Sequence, residues 1–176
     1  EYSGAPAGYT SEDYAIDQDI FSHWVRENYP NCLIVGPCTT GDNSLGNPND
    51  KNLGAGIGSL MGVCTTDDLM NGTKEKLDIF SYHYYNGISE RLAAVMPSCH
   101  WDANTAYTDD YLSVAPTCAR NHLALRDKYV PGGQIWVTES GDAGGGGNTW
   151  ASTYLDVFRT LNELGSFSVL TDGVIF

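Results

Sequence analysis

The sequence predicts an α/β fold with parallel strands. Two observations carry that prediction. Helix-like and strand-like segments alternate four times along the 176 residues, the pattern of a parallel sheet with crossover helices. The strand-like segments are also short, nearly continuous apolar runs, which suit strands buried on both faces.

Taken in order, residues 1–9 read as loop. Thr10 followed by Asp13 forms a capping-box pattern, and a helix is predicted over 11–28. Ile20, Phe21, Trp24 and Val25 fall at helical spacing and are expected to face the core. Pro30-Asn31 breaks this helix, and the run 32–36 (CLIVG) reads as a buried strand. A polar loop rich in Gly, Asn and Asp is predicted over 37–52. The glycine-rich stretch 53–70 is ambiguous, with a short helix near 57–61. The second strand is 77–84 (LDIFSYHY), followed by a long loop over 86–107. A helix over 111–129, with Leu112, Ala115, Ala119 and Leu123 on related faces, stops at Pro131-Gly132-Gly133. The third strand, 134–138 (QIWVT), leads into Glu139 and a glycine loop. A helix over 150–164 sets Tyr154, Leu155, Phe158 and Leu161 at core spacing, with Gly165 as its stop. Residues 173–176 (GVIF) begin a fourth strand.

Composition narrows the function. Net charge is −13, with 22 acidic and 9 basic residues. Nucleic acid and other long polyanions are thereby disfavoured as partners, since they need clustered Lys and Arg. No apolar run reaches the ~20 residues needed to span a bilayer. The five cysteines, Cys32, Cys38, Cys64, Cys99 and Cys118, contain no CxxC, which speaks against structural zinc. Bridges Cys38–Cys64 and Cys99–Cys118 are expected in a secreted or extracytoplasmic protein, with other pairings and a reduced state left open. Cys32 reads as a buried thiol. His23, His83, His100 and His122 show no metal-ligand spacing, and no metal or cofactor is expected. Asp67-Asp68 and Asp109-Asp110 read as solvated loop charges.

Three segments could carry chemistry. Glu139 ends a buried strand and is followed by glycines 144–147. A carboxylate at the carboxyl end of a barrel strand, beside a loop of little bulk, suits a glycosidase nucleophile. His83, Tyr84 and Tyr85 end the preceding strand and would share its rim, where they can donate hydrogen bonds to a carboxylate or a sugar hydroxyl. The glycine loop can bring backbone amides close to an anion. No Lys-Ser/Thr follows it, which argues against a nucleotide loop. Ser140 lacks the Gly-x-Ser-x-Gly setting of a hydrolase elbow.

Ile-Trp-Val-Thr-Glu139-Ser followed by the glycine run, with Tyr-His83-Tyr84-Tyr85 one strand earlier, resembles the family 79 glycoside hydrolases. That group contains β-glucuronidases and heparanase, within the clan of retaining (β/α)8 glycosidases. The likeness extends along most of the chain and is more specific for the clan than for the family. It implies Glu139 as nucleophile, with His83, Tyr84 and Tyr85 lining the subsite of the reacting sugar. It further implies that amides of Gly144 and Gly145 contact a uronate carboxylate. The clan's acid/base lies in an Asn-Glu-Pro motif, and the sequence contains none.

The expected architecture is therefore a partial (β/α)8 TIM barrel, about four β/α units from the fourth helix to the eighth strand. A complete barrel takes ~250 residues. Residues 1–176 are expected to be a fragment of one catalytic domain, partnered by the N-terminal half of the barrel, which would supply the acid/base. The function expected is a retaining hydrolase of β-linked sugars, exo β-glucuronidase-like, with the fragment inactive by itself. The scattered basic residues disfavour a sulfated polymer as substrate. A non-catalytic carbohydrate-binding protein on a degenerate barrel is the alternative, and a smaller independent α/β domain is a third possibility.

Overall fold

The computed structural model describes residues 5–40, 65–95 and 97–175. The expected loop beyond Thr40, the helix near 57–61 and Cys64 lie outside the described residues. Within them the chain forms a four-stranded sheet, all parallel, in the order β1-β2-β3-β4. The strands are β1 (Val35–Thr40), β2 (Ile79–Tyr85), β3 (Gln134–Gly141) and β4 (Gly173–Val174). The helices are α1 (Ser11–Asn28), α2 (Thr66–Asn71), α3 (Asp109–Leu112), α4 (Val114–Tyr129) and α5 (Tyr154–Leu170). No described helix is long and apolar enough to cross a membrane.

Local chemistry sets the boundaries. The Thr10 hydroxyl accepts from Asp13 N at 3.2 Å, and Asp13 accepts from Thr10 N at 2.9 Å, so α1 begins on the expected capping box. Thr65 and Asp68 repeat that box at the start of α2. Asp68 is therefore a cap, and Asp67 holds Lys128 Nζ at 2.7 Å; neither is an idle loop charge. The helix expected over 111–129 is two segments meeting at Ser113. Pro116 falls in the first turn of α4, where its missing N–H costs nothing. The last helix passes through Gly165 and ends at Leu170, where Thr171 N donates to Phe167 O at 2.8 Å. A Cβ on Gly165 would meet no neighbouring atom, and the residue needs no positive φ, so nothing there stops a helix.

The main core lies between the sheet and the pair α4 and α5. Phe80, Tyr82 and Tyr84 from β2 and Ile135 and Val137 from β3 pack there against Ala115, Cys118, Ala119, Leu125 and Phe167. Tyr82 stacks on His122 with ring centroids 3.9 Å apart, and Tyr84 meets Phe167 edge-on at 5.3 Å. Each such side chain contributes ~1.5–3 kcal/mol by leaving water.

Two expectations about packing are corrected. On α1 only Val25 of the four proposed core residues is buried; Ile20, Phe21 and Trp24 are exposed. The buried face of α1 is the narrow stripe Ala15, Ser22 and Val25. On α5 the stripe Tyr154, Phe158 and Leu161 faces outward, and Leu155 is only partly buried. The residues that α5 buries are Arg159, Glu163 and Phe167, one turn apart along the opposite side. The apolar period was real on both helices, but it faces outward, and on α5 Tyr107 meets Phe158 edge-on at 5.7 Å without burying the stripe.

The cysteines also differ from expectation. Cys99 and Cys118 are both buried thiols with no bridge between them. Cys118 Sγ lies instead 3.4 Å from His122 Nδ1, one helical turn away. Cys32 is exposed, because β1 starts at Val35 and Cys32 falls in the turn that follows α1. Cys38 is a thiol, half-buried in β1.

Candidate active site

Two β-bulges shape the carboxyl end of the sheet. In the β2–β3 ladder Tyr82 opposes Val137 and His83 opposes Glu139, so Thr138 is an extra residue. Without that insertion strict alternation would put Glu139 on the face of Val137, under the helices. The bulge returns it to the opposite face, beside His83. In the β1–β2 ladder Pro37 opposes Ser81 and Thr39 opposes Tyr82, so Cys38 is extra at the neighbouring position. Its φ of +57° lies in the left-handed region that non-glycine residues seldom occupy.

On this face Glu139 is held from β2 by two side chains. The Tyr85 hydroxyl donates to Glu139 Oε1, and His83 Nδ1 faces Oε2 at 3.4 Å. The His83 side chain is 17% exposed and that of Glu139 48%, so the imidazole forms a wall while the carboxylate stays open to solvent. Gly141 makes room for Tyr85: a Cβ there would come within 3.1 Å of its ring, closer than ordinary contact. The glycine two residues after Glu139 thus lets the tyrosine lie beside it and reach the carboxylate.

Tyr84 does not join this group. Side chains alternate along a strand, so His83 and Tyr85 share one face and Tyr84 takes the other. Tyr84 is fully buried against Phe167, and its hydroxyl is pushed far above the usual phenol range by burial and by the nearby Glu163. The subsite role expected for Tyr84 has no access to solvent.

The glycine loop is braced, which alters the expected role of Gly144. Gly144 N donates to Gly87 O at 2.9 Å, and Gly144 O accepts from Ser89 N at 2.9 Å. Its amide is therefore committed to the fold. Gly145 O accepts from Ser89 Oγ at 3.0 Å and from Arg91 Nε at 3.1 Å. Asp142 Oδ2 accepts from Asn148 N at 2.7 Å, and Glu90 receives Thr149 N and Oγ1, both at 3.1 Å. Gly145, Gly146 and Gly147 all have positive φ, which is the conformational reason for glycine there. The positive charge that lies on the loop is the Arg91 guanidinium.

Behind Glu139 lies a feature that sequence reasoning missed. Ser140, on the helix-facing side of β3, donates to Glu163 Oε2 at 3.0 Å. Glu163 Oε1 accepts from Arg159 Nη1 at 2.7 Å, and Arg159 Nη2 donates to Asp156 Oδ2 at 3.0 Å. Glu163 is wholly buried and Arg159 nearly so. Burial raises the Glu163 carboxyl to about 7, although Arg159 and Ser140 pull it down. This network pins the residue next to Glu139 against α5. The one sequence signal was the i, i+4 spacing of Arg159 and Glu163 on an apolar helix, a pattern more common on solvated faces.

No protein-family model matches the chain, and no curated protein matches it.

Proposed function

We propose that the chain is part of a retaining β-glycoside hydrolase, in which Glu139 is the nucleophile of a (β/α)8 catalytic domain. The observation that carries this reading is the placement of Glu139. It projects from the carboxyl end of a parallel strand, half-exposed, between a tyrosine hydroxyl and an imidazole of the adjacent strand. Barrel enzymes set their catalytic residues at that end of the strands. Further support comes from the sheet, which is open at β1 and β4 among the described residues. The helices α1 and α5, which precede the edge strands β1 and β4 in the chain, carry outward apolar stripes that suit the neighbouring β/α units of a closed barrel.

In the proposed reaction a Glu139 oxygen attacks the anomeric carbon as a second carboxyl, protonated, gives its proton to the leaving oxygen. Water then hydrolyses the glycosyl-enzyme, activated by that second group. The two carboxyls must stand ~5 Å apart. With no Asn-Glu-Pro in the sequence, the acid/base is assigned to the N-terminal half of the barrel. Tyr85 holds Oε1 of Glu139, which leaves Oε2, beside His83, as the attacking oxygen in this reading. The exo β-glucuronidase-like specificity comes from the family resemblance, and a uronate carboxylate would meet Arg91 at the glycine loop rather than the Gly144 amide. A secreted or extracytoplasmic location belongs to the same reading.

The test follows the first-formed product of the full-length protein on an aryl β-glycoside by proton NMR. The β-anomer must appear first and mutarotate later. First appearance of the α-anomer excludes a retaining mechanism, and binding of the sugar without turnover favours the carbohydrate-binding alternative. Tyr85→Phe should lower kcat roughly tenfold, the loss of about one charge-assisted hydrogen bond. KM should change little. Steady-state kinetics check both.

A further inference from the structure

Beyond the Thr138 bulge, β3 is supported unevenly. On one side β4 pairs with Trp136 and Val137, and Ile175 N donates to Val137 O at 2.9 Å. Glu139, Ser140 and Gly141 pair with β2 alone among the described residues. The bulge that turns Glu139 outward also leaves Thr138 without a ladder partner on β2. A slip of one residue there would carry Glu139 to the helix-facing side. Such a strand end needs a second hold if its carboxylate is to keep one position.

Glu163 supplies that hold. Ser140 opposes Tyr84 in the ladder and shares its helix-facing side. Its hydroxyl donates to Glu163 Oε2 at 3.0 Å, one residue along from Glu139. Glu163 is fixed in its turn: it is wholly buried, and Oε1 accepts from Arg159 Nη1 at 2.7 Å. Arg159 Nη2 donates to Asp156 Oδ2 at 3.0 Å, which ties the chain of contacts to the first turn of α5. A buried ion pair adds little net stability over apolar side chains of similar volume. Stability therefore does not account for a carboxylate at this place. An apolar residue could fill the same space, but it could not accept from Ser140.

We infer that Glu163 is a positioning residue for the nucleophile: through Ser140 it latches the bulged end of β3 to α5, so that Glu139 stays between Tyr85 and His83. This role rests on the nucleophile reading of Glu139, and Glu163 itself never touches the sugar. With the latch closed, the strand end is held on both faces, by Tyr85 and His83 on the open side and by Glu163 behind. With it open, Glu139 spends much of its time where Oε2 does not reach the anomeric carbon. A misplacement of about 1 Å costs up to ~100-fold in rate.

The probe is a 2-fluoro-β-glycoside with a dinitrophenol leaving group, used on the full-length protein. That leaving group departs without a proton, so the rate of trapping reads attack by Glu139 and not the acid/base. Peptide mass spectrometry gives the extent of labelling, and thermal melts give the folded fraction. Ser140→Ala should reach the same labelling per folded chain with a rate constant roughly tenfold lower. Ser140→Thr keeps the hydroxyl and should return the rate constant to within about twofold of wild type. Glu163→Met should be as slow as Ser140→Ala, and the double variant no slower than either, because both changes remove one bond. If Glu163→Met does not melt cooperatively, the Ala and Thr variants decide. A purely structural role predicts a lower melting temperature with an unchanged rate constant, and that result overturns the inference. So does a Thr variant as slow as the Ala variant, or additive slowing by Ser140→Ala and Glu163→Met. The nucleophile reading survives those results. A wild type labelled elsewhere than at Glu139 contradicts that reading, and the positioning role falls with it.

Discussion

Glu139→Gln is expected to remove essentially all turnover from the full-length protein, lowering kcat by roughly 10⁴–10⁶-fold with little change in KM. The substitution keeps the volume of the side chain, and the amide oxygen can still accept from Tyr85. What it removes is the anionic oxygen that would bond to the anomeric carbon. Loss of a group used only as the covalent bond forms falls on kcat, whereas loss of a group that merely holds the sugar falls on KM. Steady-state kinetics on an aryl glycoside separate the two. A rise in KM with kcat nearly unchanged would assign Glu139 to binding.

Arg159→Met should be the most damaging change for stability, at about 3–5 kcal/mol near neutral pH. Arg159 and Glu163 are buried together behind β3, and the substitution leaves the Glu163 carboxylate with Ser140 as its remaining donor. The effect depends on pH in a definite direction. The folded-state value for Glu163 is raised to about 7 from 4.5. The native protein therefore binds this proton more tightly than the unfolded chain does. Its contribution is fully present below about pH 4.5 and is lost as the pH rises through about 7, a change of about 3 kcal/mol. Wild type should melt at higher temperature near pH 5 than near pH 8, as far as this group is concerned. Arg159→Met should be less harmful near pH 5, where Glu163 can take up a proton. Glu163→Gln should flatten the pH dependence of Tm across that window. Thermal melts of the three proteins at several pH values check the sign.

The two predictions concern opposite faces of one strand position. Glu139 looks out to solvent and Ser140 looks back to Glu163, and the Thr138 bulge decides which does which. That bulge is why the site was only partly legible in the sequence. The strand itself could be read from its β-branched and aromatic run, and the carboxylate at its end was visible. A register shift of one residue is a property of pairing, and no local pattern of letters announces it. For His83, Tyr84 and Tyr85 the period of two was available from the start. It separates Tyr84 from its neighbours once the strand is known to lie against helices on one face.

The helices teach a related lesson. Apolar spacing on α1 and α5 marked a coherent face in each, but periodicity does not state what that face meets. On α5 the wholly buried stripe includes an ion pair, and the apolar stripe is outside. Charge on an apolar helix reads as surface until a partner on the same helix neutralises it. Cys38 was obscured in a similar way. A cysteine followed by polar loop suggests a bridge, and its hydroxyl partner Ser81 comes from a different strand, brought alongside only by parallel pairing.

The most direct measurement of the role of Glu139 is trapping of the glycosyl-enzyme. The full-length protein is incubated with a mechanism-based 2-fluoro-glycoside, which slows breakdown of the covalent intermediate, and then digested for peptide mass spectrometry. The expected result is one fluoro-glycosyl group per chain, ester-linked to Glu139, with activity lost in step with labelling. A label on any other carboxylate, or full inactivation with Glu139 unmodified, would contradict the assignment.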